Sequence, residues 1–147
     1  MKRKFSMVLA LVLLVSSMAL PTCAVEPVRE VQTITTEFGE FQIETTLLVY
    51  DTVLYSNTVR TDKKQVVKFN GKTVGEVTLT ATFGYDGSSA WVISADGSHV
   101  TYSGWSYGSE SISKSGRKAK LTAKLTHSGD SIPVSISMTC SPSGQIS

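Results

Sequence analysis

Histidine and cysteine, from which many catalytic and metal sites are built, are scarce in this 147-residue chain, which has two of each. His99 and His127 lie in different predicted hairpins, and there is no HExxH motif, CxxC pair or histidine cluster. A metal site needs more nitrogen, sulfur or oxygen ligands at workable spacing. The sequence therefore predicts no bound metal and no cofactor.

Other catalytic signatures are also missing. Ser106 lies in a GxSxG pattern (104–108), but no predicted helix follows it as a nucleophile elbow requires, and no glycine-rich loop precedes a helix, which leaves a nucleophilic triad and a phosphate cradle without support. The segments Asp86-Gly87-Ser88 and Asp96-Gly97-Ser98 lack the dense acidic ligands of calcium loops and are typical of turns. We therefore expect a protein that is not an enzyme and has no catalytic residues.

Long apolar runs are confined to the start of the chain. Residues 1–24 have the layout of a secretory signal: the basic residues 2–4, an apolar run from Met7 to Val15, and a small-residue end. Cleavage after Ala24 predicts a soluble secreted protein. The alternative is a lipid anchor at Cys23, because Leu-Pro-Thr-Cys loosely resembles a lipobox.

Cleavage leaves one predicted domain, residues 25–147, with no stable membrane span. Loss of the three basic residues lowers Lys+Arg from 14 to 11 against 12 Asp+Glu, so the net charge changes from +2 to about −1. Nothing in this charge favours a nucleic acid as partner. Cys140 then stands alone, which predicts a small buried hydrophobic residue and no intrachain disulfide.

Apolar and polar residues alternate through most of the remaining chain, which predicts β-strands. We expect a first strand over Val28–Thr36 and a second over Phe41–Tyr50. Asn70-Gly71 and Ser128-Gly129 predict two-residue hairpin turns, and the second of these pairs Leu125 with Ile132 and His127 with Asp130. Gly75 is the predicted site of a bulge, and Pro133 predicts an edge strand or a bulge.

The stretch from Glu76 to Tyr107 contains two Asp-Gly pairs, which predict turns that divide it into three short strands. Asp86-Gly87 is expected in a three-residue loop that keeps Trp91 and Ile93 on the face of Phe83. Asp96-Gly97 is expected in a two-residue type I′ turn.

These patterns predict an all-β domain of about seven to nine short strands, an antiparallel sandwich of immunoglobulin-like kind, with a small barrel as the competing architecture. The cysteine pair and tryptophan spacing of true immunoglobulin domains are absent. The strands predict a core that includes Leu121, Ala123, Leu125, Val134 and Ile136.

Three aromatic residues, Tyr102, Trp105 and Tyr107, lie among small residues and are the candidate binding residues. Exposed together, they would form a stacking platform for sugar rings or a protein. The alternative is that Trp105 plugs one end of the sandwich and Tyr102 belongs to the core.

The segments ATFGYDGSSAWV (81–92), GWSYGSESISKSG (104–116) and KLTAKLT (120–126) resemble a group of small secreted proteins of Gram-positive bacteria with no assigned activity. That resemblance implies export and a β domain and carries no functional residues. WSYG (105–108) and the Ser/Lys-rich stretch after it also resemble lactococcin 972-like bacteriocins, which are small secreted β-sandwich peptides.

Two functions of different kinds remain open. The first is a non-catalytic extracellular module that binds a surface polymer, a glycan or a protein, or that has a structural role at the cell surface. The second is a secreted bacteriocin-like antimicrobial factor, which the shorter resemblance implies. An enzyme comes third, because the sequence has no catalytic constellation.

Overall fold

The computed structural model describes residues 27–36, 38–50 and 57–147 of the chain. The predicted signal segment, its cleavage site and Cys23 lie outside these residues. The described part is all-β, and its strands are β1 (Val28–Thr36), β2 (Gly39–Tyr50), β3 (Thr58–Phe69), β4 (Lys72–Tyr85), β5 (Ala90–Thr101), β6 (Ser106–Ser115), β7 (Lys118–His127) and β8 (Asp130–Thr139).

These eight antiparallel strands form two separate hydrogen-bonded sheets. The large sheet has the order β1-β2-β3-β4-β5, and the small sheet has the order β6-β7-β8. Every neighbour within a sheet is the next strand along the chain, whereas immunoglobulin sandwiches connect their strands by Greek keys. The prediction of an all-β, antiparallel fold is confirmed.

The inner faces of the two sheets share one hydrophobic core. Its largest fully buried side chains include Phe83 and Leu79 of the large sheet and Leu121, Leu125 and Ile136 of the small sheet. The five predicted core residues of β7 and β8 are all buried, so that prediction is confirmed. Cys140 is also fully buried as a free thiol, and burial raises its pKa.

Two of the three predicted two-residue turns are present. Asn70 and Gly71 have φ of 47° and 78°, the pair of positive values that a type I′ turn requires. Ser128-Gly129 joins β7 to β8 with the predicted pairs. The predicted bulge is present as well, since Val67 pairs with Gly75 and Lys68 with Thr73, which leaves Val74 unopposed. Pro133 lies in β8, an edge strand.

Asp96-Gly97 does not form a turn, and that prediction is wrong. Both residues lie within the continuous strand β5, where Gly97 pairs with Leu79. A Cβ on Gly97 would lie 2.8 Å from Cδ1 of Leu121 in the other sheet. This glycine therefore permits close packing between the sheets and does not reverse the chain.

The loop after β4 has a different length from the prediction. Four residues, 86–89, separate the Tyr85–Ala90 pair, and Asp86 accepts hydrogen bonds from the N–H groups of Ser89 (2.6 Å) and Ser88 (2.9 Å). These two hydrogen bonds lower the pKa of Asp86, and the bond from Ser89 has the larger effect.

The face predicted for Trp91 and Ile93 is also wrong. The four-residue loop pairs Phe83 with Val92, so Trp91 points to the opposite face from Phe83. The register then shifts between Thr82 and Phe83. Both Trp91 and Ile93 are exposed.

Candidate functional site

The predicted aromatic residues occupy three different environments. Trp105 is buried at 7% exposure, stacked on His127 with ring centroids 5.2 Å apart. It also meets the rings of Phe41 (6.3 Å) and Phe69 (6.1 Å) edge-on. The indole thus fills one end of the core.

Tyr107, a residue of β6, is half-buried against β5. Its ring stacks on His99 at 3.8 Å, and its hydroxyl donates to Oε2 of Glu110 at 2.5 Å. Burial, followed by the Glu110 carboxylate, raises the pKa of Tyr107. This ring therefore lies against neighbouring side chains and is not presented as a free face.

Tyr102 is 41% exposed, and its hydroxyl donates to Oε1 of Glu76 at 3.3 Å. Tyr102 is therefore not a core residue, and the alternative prediction that placed it in the core is wrong. The structure does not bring Tyr102, Trp105 and Tyr107 together as one exposed platform.

A more open surface arises because the large sheet is wider than the small one. The small sheet packs on β3, β4 and β5, whereas no Cα atom of β1 or β2 lies within 8 Å of a Cα atom of β6, β7 or β8. The inner face of the β1–β2 hairpin and the free edge of β8 therefore enclose a groove, which we call the β1–β8 groove.

One end of the β1–β8 groove is apolar. Here a cleft of about 440 Å³ is lined by Ile34, Thr36, Phe38, Phe41 and residues 130–133. Ile34 is 37% exposed and Phe38 more so, while Phe41 and Ile132 form the buried floor. An open apolar cleft of this kind is typical of a binding surface.

The other end of the groove is closed by the last residues of the chain. A cleft of about 210 Å³ lies between Val28, Leu47, Lys63, Ile146, Ser147 and two polar neighbours, Glu30 and Thr45. Thr139 and Ser147 exchange two backbone hydrogen bonds of 2.9 and 3.0 Å, and Cys140 pairs with Ile146. Residues 145–147 thus lie against β8 like the beginning of a further strand.

Between the two ends, polar side chains of β3 reach the edge of β8. Lys63 Nζ donates to the carbonyl of Ser137 at 3.0 Å, and Gln65 Nε2 donates to that of Ser135 at 3.2 Å. These donors take the place that backbone N–H groups of a neighbouring strand would occupy.

Trp91 forms a second exposed surface, on the outer face of the large sheet. Its indole covers Gly84, where a Cβ would lie 2.5 Å from Cε2 of the ring. The ring is 44% exposed. Glycine at this position lets one face of the Trp91 ring lie close to the strand. A ring that lies flat in this way can stack on a ligand.

Sequence reasoning found neither surface. The alternation of β2 predicted an apolar inner face, but no local signal indicated that β1 beside it would stay outside the cover of the small sheet. Trp91 was assigned to the wrong face because the loop before it was expected to be one residue shorter.

Within the described ranges, no three His, Cys, Asp or Glu side chains are close enough together to hold a metal ion. Those ranges also contain no helix with the length and apolar character needed to cross a membrane. No protein-family profile matches this chain, and no curated protein or solved structure is detectably similar to it.

Proposed function

We propose that this protein is an exported, non-catalytic binding module that holds a segment of a partner protein in the β1–β8 groove. Export is supported by the signal-like layout of residues 1–24. Both soluble release after Ala24 and a lipid anchor at Cys23 are compatible with this role. Intact-mass measurement on the exported protein, with Val25 or a diacylated Cys23 at its N-terminus, separates them.

The observation that carries the proposal is the open apolar groove between β1, whose residues are all exposed, and the free edge of β8, with buried Phe41 in its floor. Apolar side chains at the Ile34 end lie beside a row of edge backbone groups on β8. A polypeptide fits both features at once, because it supplies apolar side chains and backbone hydrogen-bonding groups. A sugar supplies hydroxyls but few apolar groups for such a cleft.

The test is selection of linear peptides from a display library by the purified protein without its signal segment. We expect selected peptides to lose binding to Ile34→Asp, because a carboxylate in the apolar cleft would have to be desolvated by the bound peptide. Val31→Asp is the matched control: it lies in the same strand on the outer face, at 63% exposure. Equal binding by both variants would reject the groove as the site.

A second candidate function is glycan binding at Trp91, which the exposed, flat-lying indole favours. On a glycan array, Trp91→Ala should then lose a signal that Ile34→Asp retains. An array on which the unaltered protein binds nothing would remove this candidate.

A further inference from the structure

We propose that the bound segment is an extended strand that pairs with the free edge of β8 along residues 131–137, in line with the chain's own residues 145–147. This inference rests on the proposed function, and it specifies both the conformation of the partner and the backbone groups that receive it. The small sheet would then have a fourth strand over the uncovered part of the large sheet.

The edge of β8 already pairs with one short segment of the chain. Residues 145–147 run antiparallel to β8, since Ser141 pairs with Gln145 (2.8 Å) and Thr139 with Ser147. The edge of β8 at this end thus accepts a strand. Beyond Ser147, the same edge continues toward Ser131 for about eight residues, or roughly 27 Å at ~3.4 Å per residue.

Alternate residues of β8 direct their backbone N–H and C=O groups away from β7. Pro133 has no N–H and cannot donate to β7 opposite Lys124, so it lies at a position whose backbone groups face the free edge. Backbone direction alternates along a strand, so residues 131, 135 and 137 face the free edge as well. The bonds from Gln65 and Lys63 to the carbonyls of Ser135 and Ser137 agree with this assignment. An added strand would replace these two side chains as hydrogen-bond donors.

The side chains of an added strand would contact the inner face of the large sheet. A strand beside β8 presents every second residue to the inner face of β2 and β1. Near Ser131 and Pro133 those residues would meet Ile34, Phe38 and Phe41. Nearer Ser147 they would meet Lys63 and Leu47. The geometry therefore favours a partner segment with alternating apolar residues, most strongly at the end that lies over Ile34.

The experiment extends the full chain after Ser147 with about eight residues of alternating valine and threonine, the length that spans the remaining edge. We expect the backbone amides of Ser131 and Ser135 to exchange at least about tenfold more slowly, because they become strand donors. We also expect the melting temperature to rise by about 4 °C or more.

The matched control has the same length but carries proline at every second position, which removes the donors that would face β8. Protection and stabilisation only in the valine/threonine extension, at a concentration where it is monomeric, would support strand addition. Equal behaviour of the two extensions would overturn it. Concentration-dependent protection of the same amides in the unextended chain would also overturn it, by identifying a second copy as the occupant.

The outcome is separable from that of the proposed function. If the extension is not protected while library peptides still depend on Ile34, the groove binds a partner without strand pairing. If the extension is protected but no peptide depends on Ile34, the edge of β8 accepts a strand but the groove is not the binding site.

Discussion

The two halves of the large sheet differ in what covers them. In β3, β4 and β5 the inward side chains lie under the small sheet, and Val67, Val77 and Leu79 have no solvent exposure. In β1 every residue is exposed, including the inward-facing Ile34. One edge of the sheet is thus an open strand while the other strands contribute to the core, and β1 differs from them in having the polar residues Glu30 and Gln32 on its inner face beside Ile34. An inward apolar side chain such as Ile34 does not by itself show that a second sheet covers it.

The boundary between the halves lies in β3. Its inward residues Lys63 and Gln65 are polar, and both donate to backbone carbonyls of the β8 edge. These donors satisfy two carbonyls of the open edge in the absence of a neighbouring strand.

The largest expected effect comes from placing a charge in the covered half. Leu125→Asp should unfold the domain, because it removes a fully buried side chain and leaves a carboxylate without a partner. A large-to-small change alone costs ~2–5 kcal/mol at such a site. Far-UV circular dichroism against temperature measures the loss.

Ile34→Asp is the matched change in the uncovered half, where the carboxylate can be hydrated. We expect its free energy of unfolding to stay within about 1 kcal/mol of the unaltered protein. If both aspartate variants unfold, the inner face of β1 is not open and the difference between the two halves disappears.

The two tryptophans permit a second comparison, between a covered ring and an uncovered one. Trp105→Ala should cost ~3–5 kcal/mol, because it empties the end of the core next to Phe41, Phe69 and His127. Trp91→Ala should cost much less, since its ring lies on the outer face.

Fluorescence checks this assignment without unfolding. Trp91→Phe leaves Trp105 as the only emitter, and we expect blue-shifted, quencher-resistant emission. Trp105→Phe leaves Trp91, for which we expect red-shifted emission that iodide quenches. The reverse result would contradict the burial of Trp105.

The sequence predicted much of the fold where local chemistry decides it. Asn70-Gly71 and Ser128-Gly129 fixed the register of their hairpins, because positive φ is needed there and the alternation on both sides agrees. Asp96-Gly97 has the same local chemistry, yet Gly97 is needed for contact with Leu121 of the other sheet. A single sequence does not distinguish a glycine that turns the chain from one that permits close packing.

The candidate site was less predictable for a related reason. Burial of Trp105 and exposure of Ile34 depend on which strands the small sheet covers, and that choice depends on packing across the whole domain. The four-residue loop at Asp86 and the register shift near Phe83 also decide the face of Trp91. A one-residue difference in such a loop exchanges the inner and outer faces.

Gly97 gives a smaller effect within the covered half. Gly97→Ala should cost ~1–3 kcal/mol, because its Cβ would lie 2.8 Å from Leu121 and the sheets would have to separate. Gly108→Ala is the matched control, because a Cβ added to this strand glycine would meet no side chain or distant backbone atom within 4 Å. Urea unfolding compares the two, and equal stabilities would contradict close packing at Gly97.

A pH-dependent effect is expected at the opposite side of the sandwich, where Tyr107 of β6 stacks on His99 of β5. Burial and Glu110 raise the pKa of Tyr107, so the folded state holds the phenol proton more tightly than the unfolded state does. Its contribution to stability is therefore fully present below the unfolded pKa of about 10 and is lost as the pH rises above it.

Tyr107→Phe should cost ~0.5–1.5 kcal/mol at neutral pH through the lost hydrogen bond to Glu110. This difference in free energy of unfolding should be smaller at about pH 11 than at about pH 8. The unaltered protein loses the stabilisation from the Tyr107 phenol as the pH rises, whereas the variant has no phenol at this position. Urea unfolding at both pH values measures this difference, and other alkaline-titrating groups cancel because both proteins carry them. A cost that is the same at both pH values would show that the phenol titrates alike in the folded and unfolded chains, and would contradict the raised pKa of Tyr107.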